Sequence, residues 1–261
     1  MPRPLHLCVI TVALTLLLCS AAIAVNWDDF TELRHISGLP GNGFAVNEHG
    51  QVGFGGAFHM NVPCAYTPSA GNYALSYYAA SMDNKIRFQF RGEATDGTGH
   101  VGLGFGKPGN GFYVSELFVE QNFNANCMSA QWQVLDEDHS RNRPALAIGV
   151  LDIFDQREAE NKEPNSARSF YLTATQEVST GDRPIYLTLG FGNGRFGDHP
   201  FGAITWHPAT SCILGFEYDG LVTRPYAAYH LVEGGKWDIT TALAWSDFER
   251  PVLGFSVTYK R

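Results

Sequence analysis

From residue 51 to the end of the 261-residue chain, apolar side chains recur at every second position. Side chains of a strand point alternately to opposite faces, so this period assigns strands with one apolar face each. Val52, Phe54 and Phe58 open the series among glycines and Ala57, and Tyr73, Leu75, Tyr77 and Ala79 follow. Ile86, Phe88 and Phe90 stand among Lys85, Arg87, Gln89 and Arg91, and Val101, Leu103 and Phe105 alternate with glycines. Leu146, Ile148 and Val150 repeat the scheme, as do Phe170, Leu172 and Ala174, and then Ile185, Leu187, Leu189 and Phe191. Roughly fourteen such segments, divided by Asn-Gly, Pro-Gly and Asp-Gly, predict one all-β domain over 51–261. Helical periodicity of useful length is missing from this region.

An apolar face can look into a soluble core or outward into lipid. In WDITTALAWS, Trp237, Ile239, Thr241, Leu243 and Trp245 share one face, and Asp238, Thr240, Ala242, Ala244 and Ser246 the other. Eight residues at about 3.3 Å each, tilted by about 40°, separate the two indoles by roughly 20 Å along a membrane normal. That spacing suits two interfacial aromatic girdles. The final segment PVLGFSVTYKR repeats the pattern, with Leu253, Phe255, Val257 and Tyr259 on one face. A soluble sandwich also alternates, but its outer face usually carries Lys, Glu and Thr. Here Gly, Ala and Ser dominate the opposite face, which suits a crowded barrel interior. The expectation is a single antiparallel up-and-down transmembrane β-barrel of roughly 12–14 strands. In CILGFEYDG (212–220) it turns Leu214 and Phe216 to lipid, Gly215 and Glu217 to the lumen, and makes Asp219-Gly220 a hairpin turn.

The N-terminus reads as an export signal over 1–24: Arg3 precedes the apolar run LCVITVALTLLLC, and Ala22-Ile23-Ala24 has the small-x-small form cleaved after Ala24. Cys19 in LLLCS raises a lipoprotein reading, against which Leu18 stands where a small residue is usual. Residues 25–50 form a polar, turn-rich tether before the barrel. With a formal net charge of −8, the chain offers no basic patch for phosphates, which excludes a nucleic-acid partner. Cys64, Cys127 and Cys212 remain after the signal, at spacings that match no zinc pattern. Counting turns puts Cys64 and Cys127 at one end of the barrel, so any disulfide is expected between them, with Cys212 facing lipid.

Three stretches carry a family resemblance: GLPGNGFAVNEHGQVGFGGAF, PALAIGVLDIF, and RPIYLTLGFGNGRF with PFGAITWHP and CILGFEYDG. In this order they resemble the YjbH-like outer-membrane β-barrel family, which is associated with bacterial exopolysaccharide production. The resemblance covers most of the chain after the signal, although better-known members are longer. It implies a non-enzymatic envelope protein linked to exopolysaccharide export or envelope assembly. Its partners would be outer-membrane lipid and, beyond that, polysaccharide or export machinery.

The residues themselves agree on the lack of chemistry. No nucleophile elbow, metal helix, phosphate loop or dinucleotide fingerprint occurs, so neither a cofactor nor a metal is expected. One enzymatic alternative stands: an outer-membrane lipid or lipopolysaccharide hydrolase using His207 or His230 beside Ser211. A soluble carbohydrate-binding module is the other. Charged positions on the polar faces, Lys85, Arg87, Arg91, Glu93, Glu217 and Asp219, are the candidate lumen-lining residues. Unpaired charge in a confined interior is costly, so pairing within a structural plug is expected ahead of an open binding surface.

Overall fold

The computed structural model describes residues 36–53, 55–80, 97–118, 126–154, 168–179, 181, 183–232, 235–246 and 250–261. The expected signal, Ala24, Cys19, Lys85, Arg87, Arg91 and Glu93 all lie outside the described residues.

Twelve strands run in chain order: β1 (Tyr73–Ala80), β2 (Gly97–Phe105), β3 (Phe112–Phe118), β4 (Asn126–Leu135), β5 (Ala145–Leu151) and β6 (Ser169–Ser179), then β7 (Ile185–Gly192), β8 (His199–Ala209), β9 (Cys212–Tyr218), β10 (Thr223–Val232), β11 (Trp237–Ser246) and β12 (Arg250–Tyr259). Each pairs antiparallel with its neighbour, and β12 closes onto β1 through Tyr73↔Tyr259 to Ala80↔Val252. Closure removes every sheet edge, which is what a strand structure in hydrocarbon requires. Exposed apolar side chains cover the outside: Leu75, Val101, Phe170, Leu172, Phe191 and Phe255 are between 43% and 55% exposed. A belt of that extent identifies a transmembrane β-barrel and overturns the soluble sandwich.

The face turned inward carries mostly small or polar residues, with some large apolar and aromatic ones among them. On β9, Leu214 is exposed and Phe216 half-buried, while Ile213 and Glu217 are buried. Asp219–Val222 closes the hairpin to β10, with Gly220 at φ 98°. Several inward glycines lie opposite an inward aromatic in register: Gly149↔Tyr171, Gly190↔Phe201, Gly215↔Tyr226 and Gly254↔Tyr78. A Cβ on Gly215 would come within 2.1 Å of the Tyr226 ring, and one on Gly149 within 2.2 Å of the Tyr171 ring. The rings lie flat over the neighbouring backbone, and only glycine leaves room for them.

The barrel begins at Tyr73, not at residue 51. Val52 and Phe58, which alternate as a wall strand would, belong to a segment folded inside the lumen. Residues 36–46 and 56–68 are buried throughout and make only isolated bridges, such as Val46↔Val52, Val46↔Ala57 and Asn42↔His59. Glycines explain why this stretch is not a strand. Gly43, Gly50, Gly53 and Gly55 all have positive φ, and a Cβ on Gly56 would lie 2.3 Å from the Val46 backbone. A chain that turns so often cannot hold a ladder.

The disulfide expected between Cys64 and Cys127 does not form. Cys64 sits in the lumen segment rather than in a turn. Its carbonyl accepts from Gln131 Nε2 at 2.9 Å, and Cys127 lies four residues from Gln131 along β4. Cys212 is half-buried on the Leu214 face.

Candidate functional site

The irregular segment 36–72, here the plug, has many backbone groups that no ladder satisfies. Irregular backbone at membrane depth persists only where protein or water pairs those groups. Lumen side chains do so from strand after strand. Ser115 Oγ donates to the Gly38 carbonyl at 2.5 Å, Tyr78 OH to that of Gly43 at 3.0 Å, and Thr173 Oγ1 to that of Pro63 at 2.9 Å. Thr205 Oγ1 and Tyr226 OH both donate to the Phe58 carbonyl, at 2.7 and 2.5 Å. Thr175 Oγ1 accepts from the Ala65 amide at 2.8 Å, and Gln133 Oε1 from that of Thr67 at 3.0 Å. The polar lumen face therefore reads as a mould for the plug.

A buried cluster of charged side chains lies at the end of the barrel away from Tyr73 and Tyr259. Glu217 of β9 points inward and is fully buried. Its carboxylate accepts the amides of Met60 at 2.8 Å and Asn61 at 3.0 Å, with Val62 further off at 3.4 Å. Arg224 of β10, the register partner of Glu217, lies 3.5 Å from Glu217 Oε1 and also donates to Asp219. Arg195, in a short 3-10 turn (Gly194–Phe196), donates to Asp219 Oδ2 at 3.2 Å. Asp219 Oδ1 in turn accepts the Val222 amide at 2.9 Å and so closes the hairpin. Burial alone would raise the Asp219 carboxyl, but Arg224 and Arg195 outweigh it and hold it down to about 2. Two acids and two arginines thus form one network that grips the plug backbone.

Glu217 and Asp219 both line the lumen, within this latch. Arg195, Arg224 and the amides of Met60 and Asn61 complete it, and sequence patterns singled out none of them. For Arg224 a signal existed: a hairpin centred on Asp219–Val222 puts it opposite Glu217.

A second contact between plug and wall lies at the opposite end. Tyr66 OH donates to Glu137 Oε2, and Glu137 Oε1 accepts the Glu177 amide at 3.0 Å, with His139 at 3.4 Å. Burial raises the Glu137 carboxyl, against the opposing pull of Tyr66 and His139; the acid of Glu48 nearby raises it further.

The histidines considered for hydrolysis serve the interior. His207 Nε2 faces the Gly56 carbonyl at 2.9 Å, holding the plug. His230 Nδ1 lies 3.1 Å from Asp238 and 2.9 Å from Thr240, and its amide donates to the Ser211 carbonyl at 2.9 Å. Ser211 meets His230 through backbone, which is not the approach of a nucleophile to its base.

No family model and no curated protein matches the chain. Among solved structures the chain is similar to the KdgM porin, with a TM-score of 0.48 and 11% identity over 72% of this chain and 99% of that one. It is similar to the KdgM porin in complex with disordered oligogalacturonate, with a TM-score of 0.47 and 11% identity over the same shares, 72% and 99%. An outer membrane channel from Pseudomonas putida F1 gives a TM-score of 0.39 and 10% identity over 74% of this chain and 96% of that one.

Proposed function

We propose that this chain is a non-enzymatic outer-membrane barrel, kept closed by its own N-terminal segment, that serves exopolysaccharide export or envelope assembly. The observation that carries the closed, non-enzymatic reading is the plug itself. The lumen, where a barrel enzyme or an open porin would keep accessible polar groups, is given over to hydrogen bonds with residues 38–67. The exopolysaccharide link rests on the resemblance to the YjbH-like family, to which the chain is assigned here as part of the proposal.

Loop lengths support an orientation. Connections at the end that carries Tyr73 and Tyr259 run 106–111, 136–144, 180–184, 210–211 and 233–236; those at the other end include 81–96 and 152–168. Barrels keep short turns in the periplasm and longer loops outside, so the Glu217 latch lies toward the cell surface.

The test is genetic and chemical together. Cells lacking the protein should release less polymeric carbohydrate while keeping an intact envelope, and the wild-type chain should restore release. Unchanged carbohydrate in the deletion strain removes the pathway assignment, and phospholipid turnover by purified protein removes the non-enzymatic one.

A further inference from the structure

The plug end opposite the latch carries an outward-facing feature that the closed lumen does not use. Trp237, Tyr259 and Tyr73 stand side by side in register on β11, β12 and β1. Tyr73 and Tyr259 stack at 4.8 Å, and Trp237 meets them edge-on at 5.7 and 5.0 Å. Trp237 is 49% exposed, so the group is a surface plate rather than core. Amphipathic rings at the end of a spanning strand sit at headgroup level.

Two cations flank the plate. Lys236 Nζ lies 5.8 Å from the Tyr259 ring centroid and 3.5 Å from its hydroxyl. Arg261 is exposed, but its backbone is tied to Asn72 Oδ1 at 3.0 Å and its stem crosses Gly71. At Gly71, φ is 83° and a Cβ would lie 2.7 Å from Arg261 Cδ, so the glycine lets the stem pass. Lys260 turns the other way: a Cβ on Gly53 of the plug would lie 3.1 Å from its Cε. Elsewhere at the same end the charges are mixed, with Asp136, Glu137 and Asp138 beside Arg141 and Arg143 in the β4–β5 turn and Lys107 in the β2–β3 turn. What sets Lys236 and Arg261 apart from the other cations of this end is the plate: Lys236 lies over the Tyr259 ring, and Arg261 is held at Gly71 and Asn72, next to Tyr73 in the chain. Glu233, in the β10–β11 turn, lies outside the described residues.

We propose that Lys236 and Arg261, with the Trp237–Tyr259–Tyr73 plate, form a binding site for the phosphate headgroup of an anionic phospholipid. The rings pack against the glycerol and upper acyl region, while the two cations reach the phosphate from either side. The proposal rests on the membrane reading and, for the leaflet, on the orientation argued above.

Native mass spectrometry of the full chain in mild detergent tests it, using phosphatidylglycerol against phosphatidylcholine as probes. The wild type should retain phosphatidylglycerol over phosphatidylcholine by roughly fivefold or more. Lys236→Ala with Arg261→Ala should bring the two lipids to near parity, and Lys236→Arg with Arg261→Lys should keep the preference. Lys107→Ala with Arg141→Ala removes two cations from other turns at this end and should also keep it. Heat-modifiable migration on a detergent gel checks that each variant is a folded barrel. Parity in the wild type overturns the proposal, and so does loss of preference in both alanine pairs, which would mean bulk charge alone. A wild type that fails to fold in detergent would instead count against the membrane reading.

Discussion

Glu217 on the barrel wall and Met60 in the plug are 157 residues apart in sequence and 2.8 Å apart in space, joined from amide to carboxylate. Together with the Asn61 amide at 3.0 Å, this is the contact at which a buried wall charge meets the plug's main chain. Removing the carboxylate takes the acceptor from the Met60, Asn61 and Val62 amides and one acid from a buried network holding Arg224. Losses of this kind cost about 3–5 kcal/mol when a buried charge loses its partner. Glu217→Ala should therefore loosen the plug without emptying the wall. Cys64 reports on this directly, because it is a buried plug thiol. In a background lacking Cys127 and Cys212, a water-soluble maleimide should label Cys64 at least tenfold faster in the Glu217→Ala protein. Equal rates would mean that the latch does not hold the plug.

The glycine–tyrosine pairs give a stability prediction on the wall. Gly215→Ala introduces a Cβ that would meet the Tyr226 ring at 2.1 Å, and that ring also carries the hydroxyl bonded to Phe58. Overpacking of this kind costs about 1–3 kcal/mol. The urea midpoint of the folded protein in detergent should fall accordingly, and pairing Gly215→Ala with Tyr226→Leu should recover part of the loss. Full tolerance of the single substitution would contradict the close packing described here.

The Glu137 contact has a pH sign. Its carboxyl is raised by burial, so the protonated form is favoured in the folded protein and stability from this group is greatest in acid. That contribution is lost as pH rises through the raised value. Asp219 runs the other way: held down to about 2, it contributes stability above its unfolded value of about 3.9 that is lost only as pH falls toward 2. Protease resistance of the plug, followed from pH 4 to 8, should decline with rising pH in the wild type and decline less in Glu137→Gln. A decline of equal size in both would remove Glu137 as the cause.

Facing and topology were largely legible in the sequence. Period-two alternation put Leu214 and Phe216 on one face and Gly215 and Glu217 on the other, because the strand pleat leaves no choice. The plug was not legible by the same rule. Val52 and Phe58 alternate with small residues just as wall strands do, and only the density of positive-φ glycines between 50 and 56 distinguishes them. The latch was half legible. An inward acid is visible from alternation, but a partner on the main chain of Met60 and Asn61 leaves no mark in residue identity. The Cys64–Cys127 expectation failed for the same reason, since it counted Cys64 into a turn that does not exist.

The wall assignment can be tested at Leu214. An Arg near the midplane on the lipid face costs about 2–4 kcal/mol, so Leu214→Arg should hinder folding into detergent or lipid. A spin label at 214 should contact oxygen dissolved in the bilayer and remain shielded from a water-soluble quencher. Shielding from both reagents would place Leu214 in a protein core.

Surface exposure of 155–167 checks the orientation. This hydrophilic stretch lies outside the described residues; the strand ends it follows and precedes, Leu151 of β5 and Ser169 of β6, lie at the end away from Tyr73 and Tyr259. Protease added to intact cells should cut there and leave 138–143 untouched. The opposite pattern would reverse the barrel.

The most direct test of a barrel closed by its own chain is electrical. Purified full-length protein, inserted into a planar bilayer, should show no steady ohmic pore at low voltage, because the plug is bonded to wall side chains on β1, β3, β4, β6 and β8–β10. A chain lacking residues 36–67, shown to be a folded barrel by heat-modifiable migration, should conduct continuously. A stable open current from the full-length protein, equal to that of the shortened one, would contradict the account.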